Sequence, residues 1–168
     1  TDTGRNQVLV YDRGDRFVSA YGTVGQFKPV DTAISGDRLY VVDIQHHQVQ
    51  VLDKRSGKLQ FKFGRSDSDE EKGMHLPTNL AIDRNGDLYV VETGNFRVAR
   101  FTSEGKFVRH YGEAGQSPGQ FARPKGIALD RAGRLYVSDA AFQNVQIFSN
   151  DGHLLMAFGQ PTDGSQGL

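Results

Sequence analysis

An all-β fold built from a repeated four-stranded unit is what this sequence predicts, and three observations carry the prediction. Leu39-Tyr40-Val41-Val42-Asp43 recurs as Leu88-Tyr89-Val90-Val91-Glu92 and as Leu135-Tyr136-Val137-Ser138-Asp139, with a valine six residues past each acid at Val49, Val98 and Val145. Aromatic–glycine pairs close the units at Tyr21-Gly22, Phe63-Gly64, Tyr111-Gly112 and Phe158-Gly159, so the closing glycines are 42, 48 and 47 residues apart. A period in the forties is that of β-propeller blades, not of the shorter helical repeats. No stretch sustains the periodicity of an amphipathic helix.

Each unit reads as four strands. The first is short and apolar: Thr32-Ala33-Ile34, Leu80-Ala81-Ile82 and Ile127-Ala128-Leu129. The second is the Leu-Tyr-Val run. The third is Val49 to Leu52, Val98 to Phe101 and Val145 to Phe148, and the fourth is Leu59 to Phe63, Phe107 to Tyr111 and Leu154 to Phe158. Val8 to Tyr11 and Phe17 to Tyr21 are partial copies of strands three and four. Strands three and four alternate apolar and polar residues, the pattern of half-buried strands. Strands one and two are more continuously apolar, which places them nearer the middle of a stack. Glycines at 36, 86 and 133 in one turn and at 14, 57, 105 and 152 in another fit tight hairpins. A proline, Pro29, Pro77 or Pro124, leads each full unit.

These signals divide 1–168 into a half blade (1–24), three full blades (25–72, 73–118, 119–159) and a segment 160–168 that starts a next blade or forms a tail. Fourteen strands make three and a half blades at four per blade, which does not close a ring. The missing blades are expected from the rest of a longer chain or from another chain.

Composition narrows the chemistry. Twenty Lys and Arg balance 20 Asp and Glu, which argues against a generic nucleic-acid or membrane-surface binder. The absence of Cys removes disulfides, thiolate catalysis and Cys-ligated metal sites. No apolar run approaches the roughly 18 residues of a membrane-spanning helix. Together with the lack of lysine runs, the absence of Cys points to an exported bacterial protein, periplasmic or secreted.

The blade ending at Gly159 runs Gly119-Gln120-Phe121, Pro124-Lys125-Gly126-Ile127-Ala128-Leu129-Asp130, Gly133-Arg134-Leu135-Tyr136-Val137-Ser138-Asp139 and Asn144-Val145-Gln146-Ile147-Phe148. It resembles an NHL repeat, and so does the stretch from Leu80 to Val98. The resemblance implies a β-propeller, commonly six-bladed, with one repeat per blade. Departures occur at Ser35, where the other units have Asp83 and Asp130, at His46-His47-Gln48, and at Gln143-Asn144. Some propellers of this kind bind single-stranded RNA, and the similar amidating lyases use histidine-bound zinc.

Propeller geometry sends the turns between strands two and three, and the loops between blades, to the channel mouth. These turns vary from blade to blade while the strands repeat, so the mouth is where binding is expected. His47, Phe96, Arg97, Phe142, Asn144 and Arg65 are the candidate ligand-binding residues, and a protein is the expected partner. Phe96 and Phe142 stand in turns just before strand three, where the equivalent positions are read as Asn6 and His47. An aromatic beside an Arg is the composition of an interface hot spot. Asp2, Asp43, Glu92 and Asp139 recur in every blade and read as acceptors for backbone N–H groups of the following turn. Of the histidines, His110 and His153 lie away from the mouth, so only His46 or His47 could join His75; a zinc ion needs three or four ligands. No catalytic residue, metal or cofactor is therefore expected. The 67–71 acidic run reads as a solvated loop, although its oxygens suit calcium. Arg65, Arg97, Arg123 and Lys125 could track RNA with Phe96 and Phe142, but Asp67, Asp69, Glu70, Glu71 and Glu113 offset them. The reading is a non-catalytic binding and scaffold module, with a metal-dependent lyase or hydrolase, and then RNA binding, as alternatives.

Overall fold

A computed structural model describes residues 1–64 and 73–159. Within them lie fourteen strands and one short 3₁₀ turn, Thr93–Asn95. Strands β1 (Val8–Tyr11) and β2 (Phe17–Tyr21) pair as a two-stranded sheet. Three four-stranded antiparallel sheets follow: β3 (Pro29–Ser35) to β6 (Leu59–Phe63), β7 (Pro77–Ile82) to β10 (Phe107–Tyr111), and β11 (Pro124–Leu129) to β14 (Leu154–Phe158). Within each, strands pair in chain order, and the first strands β3, β7 and β11 lie side by side. This is the blade arrangement of a propeller, with β3, β7 and β11 innermost.

The strand positions agree with the hydrophobic pattern, and the burial corrects one inference from it. The central strands of each blade are two and three, β4 (Arg38–Asp43) with β5 (Gln48–Asp53) and β8 (Leu88–Glu92) with β9 (Arg97–Phe101). Strand one is half-exposed along β3 and β11 instead of lying deep in the stack. The continuous apolar run of strand two has a different cause: both of its faces are blade junctions. Leu39 and Val41 pack with Val8, Phe27 and Leu52 toward the half blade. Tyr40 and Val42, pointing the other way, pack with Leu88, Val90, Ala99 and Phe101 of the next blade. Tyr89 and Val91 repeat the pattern with Leu135, Val137 and Phe148. Burying each such side chain contributes about 1.5–3 kcal/mol.

Tyrosine hydroxyls tie each blade to the strand 3–4 turn of the next. Tyr21 donates to the carbonyls of Lys54 and Arg55 at 3.0 Å, Tyr40 to that of Ser103 at 3.3 Å, and Tyr111 to that of Asn150 at 2.9 Å. The repeat predicts equal surroundings for Tyr40, Tyr89 and Tyr136. The first two are buried and reach the following blade, but Tyr136 is half-buried and its hydroxyl turns back to Asp130 of its own blade. No described blade stands beyond it to offer a turn.

A second junction device recurs at the closing glycines. A Cβ on Gly22 would collide with the Phe27 ring, on Gly64 with Met74, and on Gly112 with the Phe121 ring. Phe27, Met74 and Phe121 are buried and come from the loops between blades, so each plugs the gap behind a closing glycine.

Candidate functional site at the channel mouth

Backbone bonds knit each loop between blades to the strand 2–3 turn of the blade it enters. Ile44 N–H donates to Lys28, Thr93 to Leu76, Gly94 to His75, and Ala140 to Arg123. The mouth surface is thus built of paired loops held on rigid strands.

The acid at the end of each second strand anchors this pairing. Asp43, fully buried, accepts from the Lys28 backbone N–H at 3.0 Å, from Gln48 and Gln50 Nε2 at 3.1 and 2.9 Å, and lies 2.6 Å from His46 Nδ1. Burial opposes its ionisation, but these bonds outweigh burial and hold the carboxyl below its usual range. Asp139 accepts from the backbone of Ala122, Arg123, Ala141 and Phe142 at 2.8–3.0 Å. It too stays low, the same bonds outweighing burial. Asp2 takes the N–H of Arg5 at 2.9 Å.

Glu92 breaks the series. Its extra methylene carries the carboxyl past the backbone donors to Asn95 Nδ2 at 2.6 Å and Arg97 Nε at 2.9 Å. Its Oε1 is buried without a hydrogen-bond partner. Burial pushes this carboxyl up, and Asn95, Arg97 and His75 only partly oppose the rise. Glu in place of Asp is the signal that the sequence carries, and the repetition of an acid at this position hides it.

The candidate residues fall into two groups. His47, Phe96 and Arg97 surround the 73–76 loop. His47 Nδ1 accepts from Leu76 N–H at 3.0 Å, and its ring lies 5.2 Å from that of His75. His75, exposed and not among the candidates, sits over Gly94, where a Cβ would strike its ring. Arg97 is drawn inward: its side chain is 15% exposed and also reaches the Gly73 carbonyl at 3.4 Å. Phe142 and Asn144 lie elsewhere, in an open cavity of about 320 Å³ with Ser117, Gln146, Phe158 and Gly159. Arg65 and the 67–71 acidic run lie outside the described residues.

Backbone angles revise one equivalence. Asn6, His47, Phe96 and Gln143 all have positive φ, 58°, 54°, 55° and 53°. Phe96 therefore matches Gln143, not Phe142, which stands one residue earlier in its turn. The left-handed region costs a side chain with a Cβ about 1–2 kcal/mol, and Asn tolerates it best. Phe96 occupies it with 38% of its surface exposed.

Comparison with known proteins fixes the class. No family model matches the chain. The chain superposes on a streptogramin B lyase with a TM-score of 0.75 at 17% identity, covering 98% of this chain and 51% of that one. It superposes on virginiamycin B lyase from Staphylococcus aureus with a TM-score of 0.74 at 18% identity, covering 98% and 52%. The chain is a β-propeller segment, and it spans about half the length of these structures. In sequence, it is 30% identical over 92 residues to Protein brain tumor of Drosophila melanogaster, covering 52% of this chain and 9% of that protein. It is 24% identical over 123 residues to a probable peptidyl-alpha-hydroxyglycine alpha-amidating lyase of Caenorhabditis elegans, covering 70% and 35%.

Proposed function

We propose that this propeller segment is a non-catalytic binding module that presents the mouth turn around Phe96 to a protein partner. The observation that carries the reading is Phe96 itself. A large apolar ring sits partly exposed, in a strained backbone conformation, where the equivalent Asn6 shows that the fold needs no aromatic. Strain retained without a packing return marks a functional position, and exposed aromatics at rigid turns supply interface anchors. Arg97 supports the turn from beneath through Glu92 and Gly73, and so contributes position more than contact. That use of its guanidinium also weakens the case for RNA.

The test places a photo-crosslinking phenylalanine analogue at position 96, with position 108 on the outer strand as control. A partner captured at 96 alone is then titrated against Phe96→Asn. The substitution is expected to weaken binding by about 2 kcal/mol, roughly 30-fold, with an unchanged or higher melting temperature. Full affinity in Phe96→Asn would place the partner elsewhere.

A metal-dependent lyase is a second reading, favoured by the approach of His47 and His75 beside buried Glu92 and by the lyases among the similar proteins. Zinc takes three or four ligands, and among the described residues no group of three or more His, Asp or Glu is placed to hold a metal ion. The described residues thus do not complete a metal centre, and no reaction step follows from them. Elemental analysis separates the readings: the binding module is expected to carry no stoichiometric metal. Stoichiometric zinc that is lost in His75→Ala would select the lyase.

A further inference from the structure

On the face opposite the mouth, the turns that follow β7 and β11 line a cleft of about 230 Å³ between two blades, and Asn150 joins them. An adjoining hollow of about 130 Å³ shares Asp83, Arg84, Asp130 and Arg131 and runs on to Ile82 and Leu129 of the innermost strands. The two turns are built alike. Asp83 accepts from the backbone N–H groups of Asn85 and Asp87 at 2.8 and 2.9 Å, and Asp130 from those of Ala132 and Arg134 at 2.8 and 2.9 Å. Gly86 and Gly133 close the turns by donating to the Asp83 and Asp130 carbonyls at 3.1 Å. Each turn thus fixes the backbone of the residue after its Asp, and that residue is Arg84 in one and Arg131 in the other. The corresponding turn of the preceding blade, Ser35-Gly36-Asp37-Arg38, is one residue shorter and has Gly at that place. The paired arginines belong to these two blades and not to the repeat.

The acceptors in the cleft are spent. Asp130 Oδ2 takes Arg134 Nε at 2.6 Å and the Tyr136 hydroxyl at 3.2 Å. Asp83 Oδ2 lies 3.7 Å from Arg100 Nη2, which also pairs with Asp87 at 2.8 Å. Asn150 Oδ1 takes Arg100 Nη1 at 2.7 Å and the Tyr89 hydroxyl at 3.2 Å, so its Nδ2 is the group left to donate. The donors are not spent. Arg84 and Arg131 are exposed and form no hydrogen bond or ion pair among the described residues.

We propose that this cleft binds a small dianion, a phosphoryl or dicarboxylate group, between Arg84 and Arg131. A guanidinium fork matches two oxygens of such a group. Asn150 Nδ2 adds a further donor. Asp83 and Asp130 are already paired with Arg100 and Arg134, so they oppose an anion less than their number suggests. The cleft is separate from the turn around Phe96, so a partner at the mouth and an anion here do not compete.

Amide NMR at low ionic strength, where exposed charges are least screened, tests the proposal with inorganic phosphate and, separately, succinate. Saturable shifts are expected at the Gly86 and Gly133 amides, with Gly112 unmoved. Arg84→Gln and Arg131→Gln are each expected to raise the dissociation constant about tenfold, while Phe96→Asn leaves it unchanged. Both arginines are exposed, so the variants are expected to melt with the wild type. Tighter binding of phosphate identifies a phosphoryl ligand, and tighter binding of succinate a dicarboxylate. Failure of both anions to saturate these shifts would overturn the proposal. So would saturation that survives in the double variant Arg84→Gln, Arg131→Gln.

Discussion

Gly105→Ala is expected to destabilise the chain by about 2–5 kcal/mol, with a melting temperature lower by roughly 5–15 °C. Two effects add. Gly105 has a φ of 78°, in the left-handed region, where a Cβ costs about 1–2 kcal/mol. The new Cβ would also lie 2.5 Å from Phe63 Cγ, inside the junction between adjoining blades. Cγ is the base of the ring, and the ring is held against Phe101 at 5.1 Å, so the collision cannot be relieved by swinging a flexible tip. Overpacking of this kind costs about 1–3 kcal/mol. Gly36→Ala is the control. Its φ is 58°, but nothing lies within 4 Å of the added carbon, so only the backbone cost applies. Thermal melts of both variants check the difference. Equal losses would show that the ring yields and that blade contact is not what Gly105 protects.

Asp43→Ala is expected to cost about 2–4 kcal/mol near neutral pH, because it removes a buried carboxylate whose donors cost about 1–3 kcal/mol each where they are left unsatisfied. Gln48 Nε2 and the Lys28 N–H lose their carboxylate acceptor, and Gln50 Nε2 keeps only the Gln26 carbonyl at 2.7 Å. The pH dependence has a definite sign. The fold holds Asp43 below its usual range, so the unfolded chain binds the proton more tightly. The carboxylate's contribution is therefore complete above the unfolded value of about 3.9 and is lost as the pH falls through the lower folded value. Denaturant titrations of wild type and Asp43→Ala should differ near neutral pH and converge only below about pH 4. A gap that stays constant into acid would mean that the carboxylate's charge is not what the donors need. Glu92 has the opposite sign: its raised value makes its contribution complete below about pH 4.3 and lost as pH rises through the folded value.

The strands are legible in the sequence because each blade repeats the same alternation, and β2, β6, β10 and β14 begin and end where that alternation does. The inner strands are longer than their apolar runs. Pro29, Pro77 and Pro124 themselves begin β3, β7 and β11, and the register shifts just after each of them, which interrupts the period-two pattern. The site is less legible, because it rests on differences between blades and not on their likeness. One methylene separates Glu92 from Asp43 and Asp139, yet it exchanges backbone donors for Arg97 and Asn95. Phe142 and Phe96 look equivalent by residue type, but Phe142 stands three residues before Val145 and Phe96 two before Val98. That spacing and the backbone angle both give Gln143, not Phe142, the turn position of Phe96.

The two-sided burial of the second strands bears on how the chain folds. Because Leu39 and Val41 serve one junction and Tyr40 and Val42 the next, no blade encloses a core of its own. Stability then resides in nearest-neighbour terms, as in a one-dimensional array, and a blade gains most of its free energy only when both neighbours are in place. A blade such as β7–β10 cannot open without releasing two junctions. The mouth around Phe96 and Glu92 therefore keeps its shape for as long as the blades on both sides of β7–β10 stay in place.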